Sequence, residues 1–258
     1  IDSVKYLLLP TAKEESYPFP ESLDHYKAYR IKKPVAFERI VELEDQFDHM
    51  YGEPEFIDSL RPLYFLTPAL KNYEEPLFDS ITHYVAYEIF PKRLFPLPVI
   101  TFDQFGEHVL NVDTSMILLV PTKKLRAEPP PPPDTLRNHF KTWMIEAQPY
   151  QATVFVQDQF MEDSLDLLSL EFLSNPVKKV VENDTFDIIK PDQHLTWYWA
   201  SGRDTLIRVG YVNQFESTTV NIGPAELLLV PTQKEPYPPP ESLDHYKAYL
   251  IQDPVEFP

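Results

Sequence analysis

Histidine, aspartate and lysine, three residue types able to bind metals or move protons, recur at fixed spacing along the 258-residue chain. His25, His83, His139, His194 and His245 each open an aromatic-rich segment, such as His83-Tyr84-Val85-Ala86-Tyr87. Asp45, Asp103 and Asp158 each head an Asp-Gln-Phe triplet, and Asn213 takes the aspartate's place in the fourth copy. Lys13, Lys71, Lys124, Lys179 and Lys234 each close a Pro-x-x-Lys segment. Were a histidine and a carboxylate of each copy to converge, the chemistry would be metal ligation or proton transfer.

The spacing argues for scaffold instead. No second histidine or carboxylate stands at ligand spacing beside any member of the histidine column, so each reads as a structural histidine tying down a loop. In the aspartate column Asn213 shows that charge is not essential, and an Asx-type turn that ends a strand accounts for it. The alternative there is a catalytic carboxylate or a divalent cation such as calcium; the sequence calls for no other cofactor. The lysines read as stems covering apolar surface or as partners of a carboxylate, with substrate binding as the alternative. His49 and His108, four residues past their aspartates, read as solvated loop residues. Gly-x-Ser-x-Gly, His-Glu-x-x-His and EF-hand signatures are absent. The five glycines are too scattered to cradle a phosphate. The sequence therefore reads as a non-enzyme, with a paired-acid glycosidase as the catalytic class its many carboxylates leave open.

These columns must be positioned by a repeated element. The Gln column steps by 58, 55 and 55 residues and the Pro column by 58, 53, 55 and 55. Residues two and four before the aspartates are Leu43 and Val41, Thr101 and Val99, Val156 and Val154, Tyr211 and Val209. Period-two spacing of branched and aromatic residues is a half-buried strand. The expected fold is all-β: tandem units of ~55 residues forming antiparallel β-sandwich or barrel domains. The proline run at 129–133 suggests a boundary, giving domains 1–128 and 134–235 and an extension, 236–258. Short helices are expected in connections such as Pro68 to Glu75. A longer repeat is superimposed: Tyr17–Phe37 and Tyr237–Phe257 share 16 of 21 residues.

Composition narrows the partners. Forty acidic against 23 basic residues give a net charge of −17, which repels nucleic acid and anionic lipid. The absence of cysteine excludes disulfides and thiolate chemistry. The longest apolar stretches, such as 116–120, are too short to span a bilayer. The first residue, Ile1, is compatible with a removed signal peptide or with a fragment. Asn183-Asp184-Thr185 is a lone glycosylation sequon.

The columns resemble an uncharacterised repeat of secreted bacterial and archaeal proteins, with a His-x-x-Cys-Tyr strand, a Val-x-Leu-x-Asp-Gln-Phe strand and a Leu-Cys-x-Pro-x-x-Lys strand. The likeness is clearest at Val41 to Phe47, Phe102 to Gly106 and Leu173 to Lys179. It implies extracellular or cell-surface β-structure and no catalytic residues. The resembled cysteines fall here on Ala28, Ala86, Thr142, Trp197 and Ala248, and on Leu8, Leu66, Leu119, Ser174 and Leu229. If they pair in relatives, these positions should face each other here.

The expected function is that of a structural subunit of an extracellular filament or cell-surface array whose partner is itself. The expected contact is head-to-tail, with His245, Tyr246, Tyr249, Ile251 and Phe257 of one chain beside Tyr6, Leu8 and Pro10 of the next. The alternative is an extracellular module binding carbohydrate or a surface through exposed Trp143, Trp197 and Trp199. The doubled segment has a rival explanation, a window on a longer covalent array.

Overall fold

Alternating apolar residues between proline-rich connections make the described residues almost entirely strand. A computed structural model describes residues 27–30, 36–71, 82–124, 137–158, 162–201, 203–212, 215, 217–234 and 246–252. In chain order the elements are β1 (Lys27–Arg30), β2 (Phe37–Glu44), α1 (Gln46–Tyr51), β3 (Glu55–Lys71), β4 (Thr82–Phe90), β5 (Leu94–Asp103), β6 (Gly106–Lys124), β7 (His139–Asp158), β8 (Glu162–Val181), β9 (Asp184–Phe186), β10 (His194–Ser201), β11 (Ile207–Val212), β12 (Ser217–Lys234) and β13 (Tyr246–Gln252). Tyr6, Leu8, Pro10, His25, Asn213, His245 and Phe257 lie outside the described residues. The strand positions, but not the side chains, of Asp158, Tyr246, Tyr249 and Ile251 are described.

Each unit contributes a first strand that begins within two residues of the column histidine, a second strand ending at the Asp-Gln-Phe triplet, and a long strand ending in Pro-x-x-Lys. These are β1, β2 and β3; β4, β5 and β6; and β10, β11 and β12. In the third unit the first two strands fuse into β7, which pairs along its length with β8. Within a unit the first strand pairs with the late half of the long strand. The register places Ala28 opposite Leu66, Ala86 opposite Leu119, Thr142 opposite Ser174 and Trp197 opposite Leu229. Four units thus bring together the two positions at which the resembled repeat carries cysteines. In the third unit the Thr142 and Ser174 hydroxyls lie 2.6 Å apart and buried.

A second rule joins units two apart. The end of each second strand pairs with the end of a long strand from the opposite unit: β2 with β8, β5 with β12, β7 with β3 and β11 with β6. The partners are Leu43 and Lys179, Thr101 and Lys234, Val156 and Lys71, Tyr211 and Lys124. In all four the Pro-x-x-Lys lysine stands opposite the residue two before the aspartate column. The lysine column therefore marks a sheet register.

These rules close the sheet. β2, β3, β4, β6, β7 and β8 pair in succession, and β8 returns to β2. Closure leaves those strands no free edge. Strands on either side of 128/134, where a division was expected, share one 13-stranded sheet. A second strand finds its outer partner only on the opposite unit, so neither half completes its own sheet. β13, from the expected extension, is likewise a member of that sheet. Pro68 to Lys71, where a short helix was expected, continue β3, and 72–75 lie outside the described residues. Trp143, Trp197, Tyr87, Tyr198, Phe65 and Phe140 are the largest apolar side chains fully buried in the core.

Candidate functional site

The alternation of β2 carries Val41 and Leu43 into the core, and Asp45 follows them in, fully buried. Its Oδ1 accepts the backbone N–H groups of Phe47, at 2.8 Å, and Asp48, at 3.0 Å. Asp48 Oδ2 accepts the N–H of Asp45 in return, at 2.8 Å, closing a capping box on α1. Gly52, at φ 100°, ends the helix in the left-handed conformation glycine tolerates. Asp45 Oδ2 accepts from Trp143 Nε1 at 2.7 Å and Asn175 Nδ2 at 3.0 Å. Four donors thus serve one buried carboxylate.

Around it lies a buried charge cluster. Lys141 donates to both Asp48 oxygens at 2.7 and 2.9 Å and pairs with Glu55. Arg93 reaches Asp48 Oδ1 at 2.7 Å. Burial alone would raise the Asp45 pKa, but Lys141 and the Asn175 and Trp143 bonds outweigh it and hold the carboxyl below 3.8. Asp48 is pushed up to about 7 by burial and by the adjacent Asp45 carboxylate, against the pull of Lys141.

Asp103 reaches its partners differently. No helix follows it: Asp103 pairs with Gly106 across a two-residue turn, where Gly106 adopts φ 120°. Asp103 Oδ1 accepts the N–H of Phe105 at 2.7 Å, and Oδ2 accepts the Tyr198 hydroxyl at 2.6 Å. His108 Nε2 lies 3.2 Å from Oδ1 and 3.1 Å from the Tyr198 oxygen. His108, expected to be solvated, is instead held in this site, whereas His49 is exposed on the last turn of α1. Burial, and then the Asp103 carboxylate, hold the Tyr198 hydroxyl well above its usual 10.0.

The two centres share one rule. Trp143 and Tyr198 each stand four residues past a column histidine, in the unit opposite to the aspartate they serve. The triplet phenylalanines pack on these rings: Phe47 on Trp143 at 5.4 Å and Phe105 on Tyr198 at 5.0 Å. Phe215 packs on Tyr87 at 5.3 Å, the same position of the fourth and second units. Asp-Gln-Phe is therefore a docking triplet that ties opposite units together. Sequence reading had the aspartates but missed Trp143 and Tyr198 as their partners. The signal was available, because the position four past each histidine reads Tyr29, Tyr87, Trp143, Tyr198 and Tyr249, each with a polar hydrogen. Lys141 shares its place, two past the histidine, with Lys27 and Lys247, but Asp48 and Arg93 recur in no column, so nothing in the repeat marks those two.

Histidine and lysine columns also meet. Lys179 Nζ lies 2.6 Å from His139 Nε2, under the rings of Phe186 at 4.4 Å and Phe215 at 5.1 Å. Burial pushes Lys179 well below 10.5, and burial and then Lys179 push His139 well below 6.5. Lys234 Nζ donates to Asn175 Oδ1 at 2.8 Å and lies 4.2 Å from the Phe47 ring. Burial holds it well below 10.5, against the pull of Asp45. These two lysines, expected on apolar surface or on a carboxylate, thus bond an imidazole and a carboxamide. His194 is fully buried, its pKa lowered by burial and then by Lys234, and His83 stacks on Phe65 at 5.4 Å.

Among the described residues no three His, Asp or Glu side chains converge as a metal-ligand set, and no helix is long and apolar enough to cross a membrane. Nor do the tryptophans form an exposed row. Trp143 and Trp197 are fully buried, Trp197 donating to Ser174 Oγ at 2.7 Å, and Trp199 is half-buried.

Residues 1–110 match a family described as "Repeat of unknown function (DUF7450)". No curated protein and no solved structure matches the chain.

Proposed function

We propose that the chain is a structural subunit of an extracellular filament or cell-surface array, joined head-to-tail by strand addition. The supporting observation is a seam in the sheet. β4, β7 and β10 each lie between two antiparallel long strands. β1 breaks that rule, and β13, antiparallel to β12 and at Leu250 and Tyr64 also to β3, crowds into the same place. They lie side by side in parallel, Ala28 opposite Ala248 and Tyr29 opposite Tyr249, the one parallel ladder among the described residues.

β13 meanwhile pairs on β12 as the opening strand of another unit would. Leu229 faces Tyr246 and Leu228 faces Lys247, the register in which Leu119 faces Phe140 and Leu118 faces Lys141. Two near-identical strands thus stand where the repeat rule calls for a long strand between them. The Pro-x-x-Lys segment around Tyr6 to Pro10 has the right columns for that place. Supplied by a neighbouring chain, it would convert the parallel seam into two antiparallel ladders. Strand addition of this kind propagates when each copy both gives and receives. The extracellular placement rests on the resemblance to secreted repeats.

Within a unit, position three past the histidine faces position two before the proline; by that register Ala248 of one chain would face Leu8 of the next. The chain has no cysteine, so Leu8→Cys with Ala248→Cys is a clean test. Such partners lie within about 7 Å between Cα atoms, the reach of a disulfide. Oxidation should give a ladder of covalent multimers on a non-reducing gel. Monomers alone, free or internally bridged, would overturn the assembly.

A further inference from the structure

Asn175 is the one carboxamide of its column, where the other units have Leu9, Thr67, Val120 and Val230. Its side chain is fully buried, as is that of Asp45, and Lys234 is 2% exposed. Lys234 Nζ lies 2.8 Å from Asn175 Oδ1, which also accepts Gln46 Nε2 at 2.9 Å. Asn175 Nδ2 lies 3.0 Å from Asp45 Oδ2. The carboxamide thus stands between an amine and a carboxylate, touching both, beside the Phe47 ring and away from bulk water.

We propose that Lys234 and Asn175 react to form an intramolecular isopeptide bond, with Asp45 as the proton carrier. The neutral amine attacks Cγ of Asn175, forming the Nζ–Cγ bond and moving the carbonyl electron pair onto Oδ1. Gln46 Nε2 is already placed as a donor to that developing oxyanion. Asp45, already bonded to Nδ2, takes the surplus proton from Nζ once the new bond has drawn Nζ onto Cγ, and delivers it to Nδ2. The Cγ–Nδ2 bond breaks, the carbonyl re-forms and ammonia leaves. One amide replaces another, so no oxidant, metal or co-reactant is needed.

The surroundings favour each step. Burial disfavours the charged form of Lys234, against the pull of Asp45, and so favours the nucleophilic amine. Fixing amine and carboxamide in contact removes the entropic cost of bringing them together. The scarcity of water opposes hydrolysis once ammonia has escaped. The bond would join β8 to β12, which are separated in the sheet by β10. It would lock the third unit to the fourth beneath the Asp45 centre, independently of any contact between chains.

Mass spectrometry of the intact, folded chain is the test. The expected mass is the sequence mass less one ammonia. A protease digest should give a branched peptide in which Lys234 Nζ is joined to Asn175 Cγ, and Asn175→Ala should restore the full mass. A full mass in the unsubstituted protein, with Lys234 and Asn175 in separate linear peptides, would overturn the proposal. So would loss of ammonia mapped to another pair. Neither reading depends on whether the variant folds, because the unsubstituted chain decides.

Discussion

Asp45 and Asp103 occupy one column of the repeat, end equivalent strands and meet aromatics at equivalent positions of opposite units. Their second oxygens differ. Asp45 Oδ2 faces two N–H donors, the Trp143 indole, which has no acceptor to offer, and the Asn175 carboxamide, whose oxygen is held by Lys234 and Gln46. Asp103 Oδ2 faces the Tyr198 hydroxyl, which can either donate or accept. Around Asp45 the chain inserts α1, buries Asp48, Glu55 and Lys141, and covers Asp48 with the half-buried Arg93. Around Asp103 it makes a two-residue turn and fills the space with Phe105, Tyr150 and Tyr198. The repeat thus fixes the docking of triplet on aromatic and leaves the chemistry beside it free to diverge. Divergence has gone furthest where the amide-bond proposal falls.

The contrast predicts its largest effect at Asp45. In Asp45→Asn one of the two acceptors becomes an amide N–H₂. Set toward Trp143 and Asn175 it opposes two donors; turned over, it opposes the N–H groups of Phe47 and Asp48. Lys141 also loses a countercharge. Breaking one side of such a buried network costs roughly 3–5 kcal/mol. Urea denaturation measures it, and a cost near 1 kcal/mol would mean that the four bonds to Asp45 do not act together.

Much of this was legible in the sequence, and what was not has a physical reason. Periodicity exposed the strands, because alternation at Val41, Leu43 and Asp45 reports a half-buried face directly. The two cysteine-equivalent columns located the within-unit register before any coordinates, since they are local to one hairpin-like unit. Pairing between units two apart was hidden. Leu43 and Lys179 are 136 positions apart, and nothing in either segment names its partner. The proline run read as a domain boundary for the same reason: it marks a long connection, and a long connection can equally bridge strands of one closed sheet. His108 read as solvated because its burial depends on Tyr198 arriving from the fourth unit.

A second test contrasts charge that is paired with charge that is excluded. At the Asp45 centre Lys141 is matched by Asp48 and Glu55. Lys179, in the same column as Lys234, bonds His139 and two rings instead. Unfolded, Lys179 takes up a proton below 10.5, whereas folded it stays neutral to much lower pH. Its favourable contribution is therefore present above 10.5 and is lost as pH falls toward its folded value. Stability should climb with alkalinity by at most about 1.4 kcal/mol per pH unit from this group. The window closes above about pH 10, where Tyr198, held protonated, reverses the trend. Lys179→Met should flatten the climb in thermal melts from neutral pH upward. An unchanged slope would show that Lys179 is charged in the folded chain.

The smallest effect is expected at Asp103→Asn. The amide oxygen still accepts the Phe105 N–H, and the new N–H₂ meets the Tyr198 oxygen, whose hydroxyl can turn to accept it. The fourth unit already carries Asn213 in this column, opposite a unit whose equivalent aromatic is Tyr87, another hydroxyl. The substitution should cost about 1 kcal/mol or less, whereas Tyr198→Phe, which strips Asp103 Oδ2 of its donor, should cost about 1–3 kcal/mol. The order Asp45→Asn, Tyr198→Phe, Asp103→Asn follows from one property, whether the partner's hydrogen can turn away. If Asp103→Asn proved as damaging as Asp45→Asn in the same urea titration, carboxylate charge rather than donor geometry would govern both centres, and Asn213 would need a different partner from the one its column implies.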